Sequence, residues 1–326
     1  MSKFDLITEI VDEIIGEEEI KKILDERDIV IYWGTTPSSI PNIIHFIPLI
    51  NIMYFKKHGC QIKILLADIH AYLNSINLKF EIFEHRTDIH EKIIKYMINI
   101  LDKEYDNISF VQGTSFQLNA EYTMDTYKFN ALCTVSKLRE VGKNIINQTI
   151  DKTIDKTTDP LMTSLLYPTL QALDIEYLNA DVFFGDCNQK DICMLTNEIL
   201  EKLGYNKKTF FLNELYENLK NMPKITLIES YEDIEKKINS MESKDVIYLV
   251  NIIILEICKI HNIIFKINEF EFTSIEQIKL KYESKEITIN NIKESVIIFL
   301  DTVIEPIRKE FNEVDMIEKL KLAKYK

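Results

Sequence analysis

The residues best placed to do chemistry first meet in one stretch, "YWGTTPSSIPNIIHF", from Tyr32 to Phe46. An apolar strand edge runs into a Gly-Thr-Thr-Pro-Ser-Ser turn and then into a helix that begins near Ile43. Strand, tight polar turn and helix start form the local architecture in which backbone N–H groups and a helix terminus hold phosphate. Such sites use several glycines, and this one has Gly34 alone. No replacement cradle exists elsewhere: the chain has 7 glycines in 326 residues, with no GxGxxG and no Walker-type lysine motif. No HExxH pattern or Ser/His/Asp order points to a different chemistry.

The elements that position this stretch alternate in type. "IVIYWG" (Ile29 to Gly34) reads as a buried strand, "IIHFIPLINIMYFKK" as a helix, and "QIKILLAD" (Gln61 to Asp68) as a second buried strand. A polar helix with His85 and His90 follows, then "NISFVQGT" (Asn107 to Thr114), "ADVFFGD" (Ala180 to Asp186), a helix from about Gln189 to Lys202, and "KTFFLNEL". This order predicts an α/β fold with a parallel sheet and helices on both faces. Ligands on such sheets sit at the carboxyl ends of the strands, where the opening stretch lies. From Tyr231 onward helices dominate. Ile289, Ile292, Val296, Leu300, Val303, Ile304 and Ile307 recur at helical spacing behind Thr288, a candidate N-cap. A boundary is expected between Met222 and Glu229, dividing an α/β domain (1–225) from a smaller all-α domain (226–326).

Composition narrows the class. A hydrophobic share of 46% and a charged share of 28% suit a soluble globular chain. The net charge of −13 argues against a general polyanion binder and leaves DNA binding out of the reading. Five cysteines, Cys60, Cys133, Cys187, Cys193 and Cys258, form no CxxC pair and read as reduced thiols in a cytoplasmic protein without a metal site. The opening residues are polar, so no signal peptide is expected. The most apolar window, Val246 to Phe265, is broken by Asn251, Glu256, Lys259, His261 and Asn262, which favours a buried helix over a membrane span.

"YWGTTPSSIPN", "ILLADIHAYLN", "LLYPTLQALDIEYLNADVFFGD" and "VIEPIRKEF" together resemble the eukaryotic and archaeal tyrosyl-tRNA synthetases, class I enzymes with a Rossmann-like catalytic domain and a helical anticodon-binding domain. The likeness runs in order from about Phe4 to Phe311. It implies a tyrosine site in which Tyr32 and Asp174 hydrogen-bond the substrate phenol, while Tyr167, Gln171 and Gln189 surround its ammonium and carboxylate. A phenol is donor and acceptor at once, so phenylalanine would leave both partners unpaired, a loss of roughly 10⁴ to 10⁵ where a site is built this way. Taken singly, a Tyr in a strand or an Asp on a helix is a structural or solvated residue. The family's order across five positions gives these five their meaning.

The nucleotide half departs from the family. Its first motif, His-x-Gly-His or a close variant, is here Asn42, Ile43, Ile44 and His45. Ile44 puts a β-branched side chain where adenine needs close approach, and Asn42 cannot become a cation. The Gly-Lys pair before the motif is Ser39 and Ile40. The second motif, a Lys-Met-Ser-Lys-Ser loop, is reduced to "KNMPKITLIES", in which Lys220 and Lys224 are remnants at most. That loop clamps pyrophosphate in the transition state. The ribose segment reads Gly185, Asp186, Cys187, Asn188, Gln189, Lys190, Asp191, with the second glycine and an acidic residue changed. Gly34, Asn42, Ile44, His45, Gly185, Asp186 and Asn188 thus outline a degenerate nucleotide site, with His45, Lys220 and Lys224 the candidates for any remaining catalysis.

Three functions fit. One is a tyrosine-binding pseudo-synthetase. Another is a divergent tyrosine–tRNA ligase that uses ATP and magnesium. The third is a repurposed enzyme that takes pre-activated tyrosyl groups. The family also implies a homodimer built through residues near 130–165. Transfer RNA is a weaker expectation, because the Trp-Gly-Gly type element is missing from "FKINEFEFTSIEQI".

Overall fold

A computed structural model of the chain describes residues 2–75, 78–102, 106–143, 161–214, 219 and 222–325. It has two compact units, one of Met1–Ser39, Tyr54–Asp88 and Asp106–Leu215, the other of Ile40–Met53, Ile89–Tyr105 and Tyr216–Lys326.

The first unit is built on a six-stranded sheet. Its strands are β1 (Glu13–Ile15), β2 (Val30–Thr35), β3 (Gln61–Leu66), β4 (Ile108–Gln112), β5 (Val182–Asp186) and β6 (Thr209–Asn213), in spatial order β1-β6-β5-β2-β3-β4. β2 through β6 are parallel, and β1 closes one edge antiparallel to β6. β2 and β5 lie side by side near the centre, and the strand order reverses there, the switch point at which open α/β sheets leave room for ligands. The central strands are apolar runs because both of their faces are covered. Ile31, Ile64, Val182, Phe184 and Phe211 are fully buried. The helix Met162–Tyr177 packs on this core through Leu165, Leu170, Leu173 and Ile175. The sequence reading did not foresee β1, whose three residues carry too little pattern to stand out.

The second unit is largely helical. Tyr231–Ser240 starts at Ser230, whose side chain accepts from the Asp233 N–H. Ile289–Phe311 starts at Thr288 in a capping box with Asn291, so the candidate cap holds. Ile292, Val296, Leu300, Ile304 and Ile307 form its buried stripe. The apolar window after Val246 becomes helix Ser243–Leu249, one π turn Val250–Ile254 and helix Leu255–His261. Among the described residues no helix is long and apolar enough to cross a membrane. This part also contains a hairpin of β7 (Phe265–Ile267) and β8 (Phe270–Phe272), where the sequence predicted helices alone. The five cysteines form no disulfide.

Candidate functional site

Three connections in the first unit deliver polar side chains to one point. After β3, the short helix Asp68–Leu73 brings Asp68 and His70. After β4, the turn Thr114–Gln117 and the helix Ala120–Ala131 bring Gln117 and Tyr122. The helix Met162–Tyr177 carries Tyr167, Gln171 and Asp174, whose spacing of four and three puts them on one face.

Asp174 is the hub and is 1% exposed. Its Oδ1 accepts from Gln117 Nε2 at 2.7 Å and from the Tyr122 hydroxyl at 2.8 Å. Among the described residues its Oδ2 has only His70 Nε2, at 3.4 Å. Burial pushes the Asp174 carboxyl up to about 7, against the pull of Gln117 and Tyr122, and Asp68 adds to the rise. Burial pushes the His70 imidazole down to about 3. Desolvation thus favours the uncharged form of both partners.

Tyr32, from the middle of β2, is buried and tilts against Phe183 with ring centroids 5.0 Å apart. Burial first, then the Asp174, Cys193 and Tyr167 charges, raise its phenol well above the ordinary value. The Tyr32 hydroxyl has no hydrogen-bond partner among the described residues. Tyr167 stands edge-on to His70 at 4.6 Å, and its phenol is also raised by burial and by Asp174. Gln171 Oε1 is buried and, among the described residues, unpartnered, as is Gln117 Oε1. Tyr32 and Tyr167 thus lie within electrostatic reach of Asp174, and Gln171 shares the helix face of Tyr167 and Asp174. Gln189 is engaged differently: its Oε1 accepts from the Asp186 N–H at 3.0 Å in a capping box.

A second layer holds the hub. Asp68 accepts from the Ile69 and Thr114 backbone at 2.8 and 3.0 Å and from the Thr114 hydroxyl at 2.7 Å. Gly113 permits this closeness, since a Cβ there would lie 2.5 Å from Gln117 Oε1 and 2.6 Å from Asp68 Oδ1.

The nucleotide candidates have another character. In the second unit, the Asn42 side chain accepts from the Ile44 N–H at 3.0 Å, and His45 Nδ1 lies 3.1 Å from the Asn42 carbonyl and 3.3 Å from its N–H. Asn42 is 5% exposed and bridges antiparallel to Thr226. The Ile43 N–H donates to the Ile225 carbonyl at 2.9 Å, and the Leu227 N–H to the Pro41 carbonyl at 3.4 Å. Burial pushes His45 down to about 4, the Asn42 backbone opposes this, and the Lys224 charge adds to the drop. Lys224 is exposed, and Lys220 lies outside the described residues. In the first unit, Asp186 caps Asn188 through a bond of 2.9 Å. A Cβ on Gly185 would lie 2.4 Å from the Phe183 ring. The carboxyl end of β5 is acidic: burial and then the Asp186, Asp12, Glu13 and Glu214 charges raise the Cys187 thiol to about 11. Among the described residues no group of three His, Cys, Asp or Glu side chains is arranged to hold a metal ion.

Sequence reasoning missed His70, Gln117, Tyr122 and Asp68 as site residues. The signal was available, since all four follow the carboxyl ends of β3 and β4.

Residues 24–305 match the family model of class I tRNA synthetases for tryptophan and tyrosine. The chain is 32% identical over 335 residues to a cytoplasmic tyrosine–tRNA ligase of Danio rerio, covering 96% of this chain and 61% of the relative. It is 30% identical to a probable cytoplasmic tyrosine–tRNA ligase of Encephalitozoon cuniculi, covering 97% of each. The chain thus spans about six tenths of the vertebrate relatives and nearly all of the shorter one. In fold it is similar to a tyrosyl-tRNA synthetase complexed with L-tyrosine from Archaeoglobus fulgidus, with a TM-score of 0.74 at 24% identity over 95% of this chain and 98% of that one. A tyrosyl-tRNA synthetase from Pyrococcus horikoshii matches with a TM-score of 0.80 at 17% identity, covering 99% of both chains.

Proposed function

Because this chain belongs to the class I tRNA synthetase family for tryptophan and tyrosine and is a homologue of tyrosyl-tRNA synthetases, we propose that it binds L-tyrosine without activating it through ATP. The observation that carries the reading is the contrast between two sets of polar atoms. Around Asp174, a ligand would find the Tyr32 hydroxyl, the under-used Asp174 Oδ2 and, unpartnered among the described residues, the buried Gln171 oxygen. These suit a phenol at one end and an ammonium at the other. Buried acceptors without partners cost about 1–3 kcal/mol each, so a ligand that supplies donors recovers free energy.

Around Asn42, the side-chain oxygen and one imidazole nitrogen are already taken up within the turn. Asn42 caps its own turn, and His45 contacts the Asn42 backbone and is held neutral at physiological pH. It therefore brings no positive charge to a phosphate. ATP and magnesium belong to the competing reading of an active divergent ligase, in which His45 and Lys220 or Lys224 act on phosphate. A repurposed enzyme that takes pre-activated tyrosyl groups is the third possibility.

Tyrosine-dependent ATP–pyrophosphate exchange separates these readings. The proposal expects none, and robust exchange would establish the ligase. Calorimetry should show binding of L-tyrosine and much weaker binding of phenylalanine; equal binding of both, or of neither, would reject the tyrosine site. Transfer from preformed tyrosyl-tRNA tests the third possibility, and absence of tRNA binding would remove it.

The reading includes a cytoplasmic homodimer. Leu118, Met124, Tyr127, Leu132 and Val135 are exposed apolar side chains along one stretch of the first unit, and a second copy of the chain would cover them. Of the segment near 130–165, the part at 144–160 lies outside the described residues. Sedimentation at micromolar concentration should give a dimer that Y127K weakens.

A further inference from the structure

We infer that Gln117 is a positioning residue that fixes the tautomer of His70 and so reserves Asp174 Oδ2 for the hydroxyl of a phenolic ligand. This rests on the tyrosine-binding reading for its ligand but not for its geometry. The Gln117 amino group has two hydrogens. One is directed to Asp174 Oδ1 at 2.7 Å, and the other faces His70 Nδ1 at 3.5 Å, the outer limit of a hydrogen bond. The amide is held this way round because the opposite orientation would set its oxygen against the carboxylate.

With amino hydrogens facing Nδ1, a proton on that nitrogen would meet another donor. Its removal from Nε2 would then leave a bare lone pair facing Asp174 Oδ2 at 3.4 Å. Both contacts become complementary when Nδ1 is bare and Nε2 carries the proton. His70 thus acts as a donor toward Oδ2.

The tautomer governs what Oδ2 offers to a ligand. Gln117 donates to Oδ1, and the single Tyr122 proton is shared between Oδ1 and the Leu170 carbonyl, so Oδ2 is the less occupied oxygen, and a proton carried there lies between His70 and a ligand. If His70 were bare at Nε2, the imidazole would accept that proton in a hydrogen bond and draw Oδ2 away from the ligand. With Nε2 protonated, an ionised Oδ2 accepts from a ligand phenol, and a protonated Oδ2 donates to it. Tyr122 supports the arrangement from the far side of Oδ1, with its hydroxyl also 2.9 Å from the Leu170 carbonyl. Recognition therefore extends to phenols that are un-ionised, whereas a phenolate would meet acceptor against acceptor whenever Asp174 is charged.

The test is ¹⁵N nuclear magnetic resonance of the imidazoles in the full chain, with His70 assigned by its loss in H70Q. Six histidines keep the spectrum tractable. The expected wild-type result is a pyridine-like Nδ1 and a pyrrole-like Nε2 for His70 without ligand. Q117M should populate the other tautomer and weaken tyrosine relative to phenylalanine by roughly ten- to a hundredfold, the loss expected for a hydrogen bond to a buried charged group. A wild-type His70 protonated on Nδ1 would overturn the inference whatever the variant does, as would an unchanged tautomer in folded Q117M. If the wild type shows the Nε2–H form, Q117M shifts it and neither protein binds tyrosine, the positioning role stands and the ligand assignment fails.

Discussion

Replacing His70 by glutamine and, separately, Asp174 by asparagine should tilt the pH dependence of stability in opposite directions. Folding moves the Asp174 carboxyl from 3.8 up to about 7 and the His70 imidazole from 6.5 down to about 3. Between about pH 4 and pH 6.5 the unfolded pair therefore holds one proton, on the histidine. The folded pair also holds one, on the aspartate. Stability changes with pH only where the two states bind different numbers of protons, so in the wild type this pair adds no slope across that window.

H70Q leaves the raised carboxyl alone. Its contribution is fully present below the unfolded value of 3.8 and is lost as pH rises toward about 7. D174N leaves the depressed imidazole alone. Its contribution is present above 6.5 and is lost as pH falls toward about 3. One proton over two pH units is worth about 3 kcal/mol. From about pH 4.5 to about pH 6.5, H70Q should lose about 3 kcal/mol relative to wild type, and D174N should gain about 3 kcal/mol. Urea unfolding followed by fluorescence is the assay. Trp33 is the chain's one tryptophan, sits 5% exposed in β2 beside Tyr32, and reports on the first unit. Two variants that keep the wild-type pH profile, or tilt it the same way, would refute this account of the pair.

Other variants test the surrounding layers. G113A forces Gln117 or Asp68 to move from a contact of 2.5–2.6 Å; overpacking of this kind costs about 1–3 kcal/mol, and the loss of tyrosine affinity in calorimetry should exceed that of phenylalanine. T114V removes the hydroxyl from Asp68 and should cost about 1.5–3 kcal/mol in urea unfolding. T288A removes the cap of Ile289–Phe311 and should lower stability by about 1 kcal/mol without altering ligand binding. N42A, which unmakes the cap at Ile44, should lower stability in urea unfolding by a similar amount, about 1 kcal/mol; an unchanged stability would refute the capping role.

Much of the fold was legible because its determinants are local. The strands around Tyr32, Ile64 and Phe183 are apolar runs that only a doubly covered sheet accommodates, and the Thr288 cap is a four-residue pattern. Tyr32 and Asp174 were singled out through the family's order of residues. Gln117, Tyr122 and His70 were not, although each lies just beyond a strand that the sequence revealed. Gln117 and Tyr122 reach Asp174 across 57 and 52 residues. Nothing in "SFQLNAEY" or "DIHAYLN" says which side chain turns toward a carboxylate so far along the chain. β7 and β8 escaped for a different reason, since three-residue strands offer one and a half periods of alternation.

By itself the sequence determined the alternation of strands and helices and the residue types available at the sheet's carboxyl ends. Tertiary structure alone decided that Asp174 is a buried hub with one oxygen filled and one under-used. It also decided that His70 faces the under-used oxygen with its charge disfavoured by burial, and that the His45 ring lies against the Asn42 backbone. The physical reason is range. Propensity and apolar periodicity act over a few neighbouring residues, whereas desolvation and hydrogen-bond partnership are set by whatever the fold brings within a few ångströms.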